Sequence, residues 1–447
     1  MLLQTDPRPP GPAGGLLGLA PLLAYRKDPL GHVTRLAREY GDVTYTRVGR
    51  WHAFLLSHPD HVEHVLVRRR GTYGKDPLLL RMRPLLGQGL LTSDGARWAA
   101  QRRLMAPAFT AKRVAGYAGV MLEEARALMR EWAPGQVRDV GGDMARLTLE
   151  VAVRTLFGTS AREETRAVTD ALAVVSDHYG HSLGRLRWPE FVPTARNRAF
   201  KRALAELDRV VARIVAARAA APEGEDLLGR LLAARDAQGA GMSPTQVRDE
   251  VLTLLLAGHE TTALLLTYTW QLLGLFPDVA ARLTRELALV LGERDPTPED
   301  LPRLVTTDHV LQESLRLYPP AAILGRQALA PDEIAGWRIP AGALVFFAPW
   351  VLQRDPRFFP EPEAFRPERW AEPAIADLPR FAYFPFGGGE RVCIGEAFAR
   401  LEARLVLATL ARRWRFEPLP DAPPMVVTPE ITLRPTQPVR MRLVSAV

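Results

Sequence analysis

The sequence predicts a mainly helical protein with small β-sheets, an α+β arrangement. From about residue 97 to 320 apolar residues recur at i, i+3, i+4 and i+7, which is the period of an amphipathic helix. Strand-like runs fall into three parts, about 41–58, 320–347 and 425–443. Helices and strands are therefore segregated along the chain rather than alternating as βαβ units. No Ser/Gly linker divides the 447 residues, so we expect a single domain over residues 1–447.

The elements follow from local signals. A proline start and helical periodicity predict a helix from Pro29 to Tyr40. A β-hairpin should follow, because the run Val43–Val48 and the run Ala53–Ser57 flank a turn that contains Gly49. From about 319 to 385 prolines and glycines are dense, which predicts turns and short strands. Helix returns from about 395 to 413.

One apolar run, Val251–Phe276, is long enough to cross a bilayer. It contains His259 and Glu260, however, and ionisable groups are costly in the middle of a membrane. We therefore expect a buried core helix and no membrane span. The N-terminus has no signal-peptide pattern, and a single cysteine excludes an intramolecular disulfide, so a reducing cytoplasmic location is expected.

The net charge of +8 raises the possibility of a nucleic-acid-binding protein. The basic residues are dispersed among acidic ones, as in Glu123-Glu124-Ala125-Arg126, and no basic block is interleaved with aromatic residues. We therefore expect no nucleic-acid partner. A basic face that attracts an acidic protein is the better interpretation. We expect the chain to be a monomer.

The single cysteine lies in the run Phe386-Gly387-Gly388-Gly389-Glu390-Arg391-Val392-Cys393-Ile394-Gly395. Glycines on both sides let the backbone approach a flat ligand and turn N–H groups toward a sulfur. Amide donors and a nearby arginine favour the thiolate, which is the form that binds metals. An isolated cysteine is more often a small buried hydrophobe, but the surrounding pattern here favours a ligand.

This run resembles the cysteine-ligand loop of the cytochrome P450 superfamily, Phe-x-x-Gly-x-Arg-x-Cys-x-Gly, and it meets every specified position. The resemblance is to the soluble bacterial type. It implies the mainly helical cytochrome P450 fold and a haem b cofactor. Cys393 would be the axial iron ligand, and Phe386, Arg391 and Gly395 would contact the haem.

The stretch Ala257-Gly258-His259-Glu260-Thr261-Thr262 interrupts the apolar run. Taken alone, Glu-Thr-Thr in a helix is more often a cap or a solvated face. Together with the cysteine loop it is similar to the superfamily's oxygen-activation motif. The resemblance implies that Ala257 and Gly258 leave room for dioxygen, while Glu260 and Thr261 deliver protons as catalytic residues. His259 occupies a free position of the motif and is assigned no metal role.

Haem carries two propionates, which require cations or N–H donors. The resemblance places Trp98 and Arg102, one helical turn apart, at these groups, together with Arg326 and Arg391. Arginine suits carboxylates because its planar fork binds them bidentately.

A second set of charges has a structural interpretation. The pair Glu313 and Arg316 followed by Arg369 matches the superfamily's buried charge triad. A random Glu-x-x-Arg would be a surface pair of little energetic weight. The adjacent Trp370 stands where the superfamily more often has Phe.

The resemblance implies a haem-thiolate monooxygenase that inserts one atom of O2 into a large apolar substrate of the fatty acid, terpenoid or carotenoid class. Electrons would come from a ferredoxin and an NAD(P)H-dependent ferredoxin reductase. Two alternatives stay open: a peroxide-driven peroxygenase or isomerase on the same fold, and a non-enzymatic haem sensor. A basic ferredoxin dock is expected from residues placed near the cysteine side by the resemblance. These are Arg102, Arg103, Lys112, Arg113, Arg404, Arg412 and Arg413.

Overall fold

A computed structural model of the chain describes residues 8–13, 19–158, 165–180, 189, 191–220, 226–233, 239 and 241–446. Its helices are α1 (Leu19–Lys27), α2 (Pro29–Tyr40), α3 (Pro59–Glu63), α4 (Pro77–Leu80), α5 (Arg83–Leu86), α6 (Gly95–Met105), α7 (Ala111–Gly116), α8 (Ala118–Met129), α9 (Val140–Phe157), α10 (Thr165–Gly180), α11 (Ala195–Ala220), α12 (Leu227–Ala233), α13 (Pro244–Leu275), α14 (Pro277–Leu291), α15 (Val305–Leu317), α16 (Pro349–Leu352), α17 (Pro373–Ala376) and α18 (Glu396–Ala411).

The strands are β1 (Val43–Val48), β2 (Trp51–Leu56), β3 (Tyr73–Lys75), β4 (Val137–Asp139), β5 (Leu324–Ala328), β6 (Asp332–Ile334), β7 (Trp337–Ile339), β8 (Leu344–Phe347), β9 (Trp414–Pro418), β10 (Val427–Pro429), β11 (Leu433–Pro435) and β12 (Arg440–Ser445). Helix predominates, as the periodicity predicted. The helix predicted from Pro29 to Tyr40 is confirmed as α2, where the Asp28 side chain accepts from the N–H of Gly31 and Pro29 opens the first turn.

The strands form four small sheets. The largest has the order β1-β2-β8-β5-β3, with β2 and β8 parallel and the other pairs antiparallel. A second has the order β4-β12-β9, and the hairpins β10-β11 and β6-β7 complete the set. The predicted hairpin is confirmed, although its second strand begins at Trp51 instead of Ala53. Three strands lie outside the predicted parts: β3, β4 and β9. They are short and form only because a distant strand pairs with them.

The 32-residue helix α13 runs through the protein and packs most extensively on α9, with further contacts to α15, α18 and β9. It begins at a capping box in which Ser243 and Gln246 bond each other's backbone N–H. Among the described residues α13 is the one helix whose length and composition would suit a membrane span. Its most apolar stretch, however, is 83% buried inside the protein. The prediction of a core helix agrees with this burial.

The triad predicted from Glu313, Arg316 and Arg369 forms a closed buried cluster. Both arginines bond the Glu313 carboxylate at 2.8 to 2.9 Å, and all three side chains are at most 1% exposed. Their remaining N–H groups donate to backbone carbonyls, as in the 2.8 Å bond from Arg316 to Gln353 O. Trp370 is a fourth member, because its indole N–H donates to Glu313 Oε2 at 3.0 Å.

Candidate active site

Glycines determine the shape of the loop that carries Cys393. Gly387 and Gly389 have φ angles of +72° and +67°, which side-chain-bearing residues rarely adopt. A Cβ on Gly389 would also lie 2.0 Å from the carbonyl oxygen of Leu66, so this position has no space for a side chain. The backbone N–H of Cys393 donates to Phe386 O at 3.0 Å and closes the loop.

The Cys393 side chain is solvent-accessible but closely surrounded by protein. Its side chain is exposed, yet burial raises the pKa of the thiol, which means that the surrounding protein rather than bulk water controls its charge. The N–H of Gly395 bonds the sulfur and the nearby Arg102 is positive, and both oppose this rise by favouring the thiolate. An exposed sulfur with an N–H donor suits a metal-ligating thiolate. No group of three or more His, Cys, Asp or Glu side chains in the described part of the chain offers a competing metal site.

Cations gather beside this loop. Arg391 pairs with Asp94 and lies over the ring of Trp98, with the guanidinium carbon 4.5 Å from the ring centroid. Its Nη1 is buried without a hydrogen-bond partner among the described residues. Arg326 donates to the carbonyl of Gly325 at 2.8 Å, and no described carboxylate pairs with it. Burial and the charge of Arg391 lower the pKa of Arg326 to about 10. This region therefore has unsatisfied positive charge.

Lys75 belongs to the same cluster, and sequence reasoning missed it. It lies on β3 directly opposite Arg326 of β5 and is 8% exposed. Burial, then the charges of Arg326 and Arg391, lower its pKa to about 7. The nearby Asp94 accepts from the backbone N–H of Lys75. An anion bound here would relieve the mutual repulsion of the three cations.

Helix α13 has a small exposed stretch where the motif predicted an opening. Ala257 is exposed, and Gly258 and Thr261 are partly exposed, whereas every other residue from Asp249 to Trp270 of this helix is buried. Ala257 and Thr261 are four residues apart and share one face. Gly258 faces α9, where an added Cβ would meet Cβ of Ala152 at 3.7 Å, an ordinary van der Waals distance. The packing of α13 on α9 therefore does not itself require a glycine at this position, and the open surface is provided by Ala257.

Glu260 and Thr261 are adjacent in sequence, but their side chains do not meet. The Thr261 hydroxyl donates to Ala257 O at 2.9 Å. Glu260 is buried and accepts from Thr432 and Arg434, each at 2.5 Å to Oε1. Burial alone would raise the pKa of Glu260, but the charge and hydrogen bond of Arg434 and the hydroxyl of Thr432 hold it below its ordinary value. The group is thus a carboxylate, directed away from Thr261.

A cavity of about 430 Å³ opens beside this arrangement. Elements of the N-terminal half line it, including α1, α2, β1, β2 and α4, together with the loop from 428 to 433. Leu78, Leu79, Ile323, Phe346 and Ile431 supply apolar surface. A volume in this range suits a small-molecule ligand of predominantly apolar character. The lining includes residues of the segment after Tyr73, of 320–325 and of 428–433, and no described residue of the stretch 254–262 on α13 belongs to it.

The predicted ferredoxin dock is only partly available. Arg404 bonds Asp308 at 2.6 Å and Arg412 bonds Asp295 at 3.0 Å, so both charges are already paired. Arg103, Lys112 and Arg413 are exposed. The predicted dock therefore has fewer available cations than expected.

The residues present fit a haem. Cys393 offers a thiolate from a loop without bulky side chains, and Phe386 adjoins it through the backbone bond described above. The cluster of Lys75, Arg326 and Arg391 offers cations for two propionates. Trp98 and Arg102 lie on α6 beside that cluster, and Arg102 makes no ion pair with a described residue.

Comparisons with known proteins agree with this geometry. The cytochrome P450 family profile matches residues 8–443. Cyclooctatin synthase of Streptomyces melanosporofaciens is 39% identical over 91% of this chain and 90% of its own. Cyclooctat-9-en-7-ol 5-monooxygenase of the same organism is 37% identical, covering 93% and 92%. Pentalenene oxygenase of Streptomyces avermitilis is 34% identical, covering 92% of both.

A solved structure described as retinoic acid bound cyanobacterial CYP120A1 superposes with a TM-score of 0.87, at 28% identity, over 99% of this chain and 100% of its own. The match in both sequence and fold extends over nearly the whole chain. The chain belongs to the cytochrome P450 family and is a haem-iron cytochrome P450 monooxygenase.

Proposed function

We propose that this monooxygenase hydroxylates a large apolar terpenoid, with Cys393 as the iron ligand of haem b. The exposed sulfur of Cys393, held in a glycine-shaped loop with the Gly395 N–H directed at it, is the observation that carries the proposal. The terpenoid class is supported by two relatives named as terpenoid oxygenases, cyclooctat-9-en-7-ol 5-monooxygenase and pentalenene oxygenase, and by the apolar cavity of about 430 Å³.

When bound, haem supplies the oxygen activation that side chains cannot perform. The protein's own residues do the rest. Arg326, Arg391 and Lys75 hold the propionates, with Trp98 and Arg102 beside them. Ala257 keeps one side of α13 open, and buried apolar residues on either side of it limit the entry of water.

Thr261 and Glu260 deliver protons in this proposal. The Thr261 hydroxyl lies on the open face of α13, and Glu260 is a charged carboxylate one residue away. Proton delivery by positioned side chains contributes about 10²–10⁴-fold to such reactions. The electron donors are a ferredoxin and its NAD(P)H-dependent reductase, which dock at Arg103, Lys112 and Arg413. We propose a cytoplasmic location.

The iron ligand is tested by spectroscopy. The reduced carbon monoxide complex should have the red-shifted Soret band of thiolate ligation, and Cys393→His should abolish that band while retaining haem. A wild-type spectrum like that of a histidine-ligated globin would overturn the assignment.

The substrate class is tested by a spectral-shift screen against terpenoids, fatty acids, carotenoids and steroids. The cyclic terpenoids should shift the Soret band at the lowest concentrations. A lower dissociation constant for fatty acids or carotenoids would replace the terpenoid proposal.

The proton route is tested with Thr261→Ala. Haem and substrate binding should persist, while product formed per NAD(P)H falls roughly tenfold, the low end of the general acid–base range because water partly substitutes. Hydrogen peroxide release should rise. Thr267→Ala is the matched control, since its hydroxyl makes the same bond to a carbonyl four residues back, at 2.7 Å, on the same helix. Equal coupling in both variants would remove Thr261 from the route.

A further inference from the structure

Glu260 is held by a hairpin from the far end of the chain. Its donors, Thr432 and Arg434, belong to the β10–β11 hairpin, and both bond the same oxygen, Oε1. The other oxygen, Oε2, is buried and has no hydrogen-bond partner among the described residues. One half of the carboxylate is thus fixed by two donors, and the other half is free to accept a proton or a water.

The hairpin itself is attached to the rest of the fold through the backbone of Leu433. The N–H of Leu433 donates to Pro320 O at 2.8 Å, and the Tyr268 hydroxyl donates to Leu433 O at 2.6 Å. Leu433 is fully buried, whereas its neighbours Thr432 and Arg434 are partly exposed. The backbone is therefore anchored while the two side chains that bond Glu260 retain access to open space.

The same hairpin forms a wall of the cavity. Residues 428–433, Thr432 included, line the space of about 430 Å³. A ligand in this cavity would therefore touch Thr432, which is one of the two residues that hold Glu260, whereas Arg434 does not line it. The other titratable groups around the Glu260 carboxylate are His259 and Tyr268, both on α13, and neither donates to it in this structure.

We propose that Arg434 and Thr432 are positioning residues that keep Glu260 charged and turned toward the hairpin, and that a ligand in the adjoining cavity alters this contact and so links substrate binding to proton delivery. The inference rests on the proposed role of Glu260. A buried carboxylate without its cation takes up a proton, because an unpaired buried charge is costly. A carboxyl that remains neutral no longer cycles between accepting and donating near neutral pH.

The first measurement uses the haem-loaded protein and does not depend on turnover. Arg434→Met should give a protonated carboxyl band in the infrared spectrum at pH 7 that wild type lacks. The band should disappear in Arg434→Met/Glu260→Gln, which assigns it to Glu260. Arg434→Lys should restore the wild-type spectrum because it keeps the charge. Absence of the band in a folded Arg434→Met protein would overturn the proposal.

The second measurement is coupling, as product formed per NAD(P)H. We expect Arg434→Met to lower it roughly tenfold and to move the pH profile upward, Thr432→Val to lower it about threefold, and Arg434→Lys to preserve it. Adding Glu260→Gln to Arg434→Met should lower coupling no further. If Arg434→Met does not fold, Thr432→Val and Arg434→Lys decide the outcome, and unchanged coupling in Thr432→Val would count against the proposal.

The link to the cavity is tested by adding the terpenoid with the largest Soret shift. The substrate-bound minus substrate-free infrared spectrum of wild type should contain a carboxylate change that is lost in Glu260→Gln. No such change would overturn the link. The role of Glu260 is separable, since normal coupling in Glu260→Gln would refute the proposed proton route. Impaired Glu260→Gln with normal Arg434→Met and Thr432→Val would refute only the present inference.

Discussion

Two buried clusters of charge differ in whether they are complete. In the Glu313 cluster every charged group has a partner, with two arginines on one carboxylate and the spare N–H groups on backbone carbonyls. In the cluster of Lys75, Arg326 and Arg391, Arg391 pairs with Asp94, but Lys75 and Arg326 pair with no carboxylate among the described residues. A protein tolerates unpaired buried charge mainly where a ligand will meet it. The Glu313 cluster also has two arginines on one carboxylate, so what separates the structural cluster from the binding cluster is whether every cation has a partner.

The largest expected effect is the loss of stability when the Glu313 cluster, which we call the closed cluster, is broken. Glu313→Gln removes the anion that two buried arginines share, and breaking a buried pair costs about 3–5 kcal/mol. The free energy of unfolding of the haem-loaded protein should fall by that amount in denaturant titrations. Glu368→Gln is the control, because Glu368 pairs with Arg282 at 3.3 Å on the surface and such pairs contribute about 0–1 kcal/mol. Equal losses in the two variants would contradict the comparison.

In the cluster of Lys75, Arg326 and Arg391, which we call the open cluster, removal of a cation should affect two quantities in opposite directions. It should not lower the stability of the haem-free protein, but it should weaken haem binding. Arg326→Met removes an unpaired buried cation, so the haem-free protein should be as stable as wild type or more stable. Haem binding should weaken by about 1.5–3 kcal/mol, or roughly 10- to 150-fold in dissociation constant, through loss of a charge-assisted bond. Haem transfer to an acceptor protein measures this. The exposed Arg303→Met should alter neither quantity. If haem-free Arg326→Met is less stable than wild type and binds haem normally, Arg326 has a structural role and not a haem-binding role.

Trp370→Phe tests whether the indole belongs to the closed cluster. The substitution deletes the 3.0 Å bond to Glu313 and leaves an aromatic ring in place. A hydrogen bond to a charged group contributes about 1.5–3 kcal/mol, and the smaller value is expected because both arginines remain. Haem affinity should not change. Trp337→Phe on β7 is the control in denaturant titration, since its indole bonds no charged group within the described part of the chain.

A further expected effect is a pH dependence of stability in the cluster of Lys75, Arg326 and Arg391. The pKa of Lys75 is lowered to about 7 in the folded haem-free chain, from about 10.4 when unfolded. Above about pH 7 the unfolded state binds more protons, so stability should rise with pH until about pH 10, while below pH 7 the full penalty of the buried charge is present. Thermal midpoints of haem-free protein from pH 7 to 9.5 should slope upward, and Lys75→Met should flatten them. If the slope is unchanged in Lys75→Met, the pH dependence of stability comes from a group other than Lys75.

Some residues of the candidate site and of the buried clusters could be predicted from the sequence, and others could not. The Cys393 loop could be predicted because its glycines, thiol and arginine lie within ten residues and each has a local reason to be there. In the triad, the pairing of Glu313 with Arg316 could be predicted because they are one helical turn apart. The place of Arg369 in it could be predicted only from the family resemblance. Lys75 could not be found, because three residues of strand give almost no signal and its position depends on pairing with Arg326.

By itself the sequence determined that the chain is mainly helical, that one long apolar helix lies in the core, and that Cys393 occupies a loop only glycines can form. These properties depend on backbone sterics and on periodicity among neighbouring residues. Only the tertiary structure decided which distant groups meet. It brought Arg434 and Thr432 to Glu260, turned that carboxylate away from Thr261, and paired Arg404 and Arg412 with acids. The reason is physical: the partner of a long charged side chain depends on where the folded chain returns, and no local pattern specifies that.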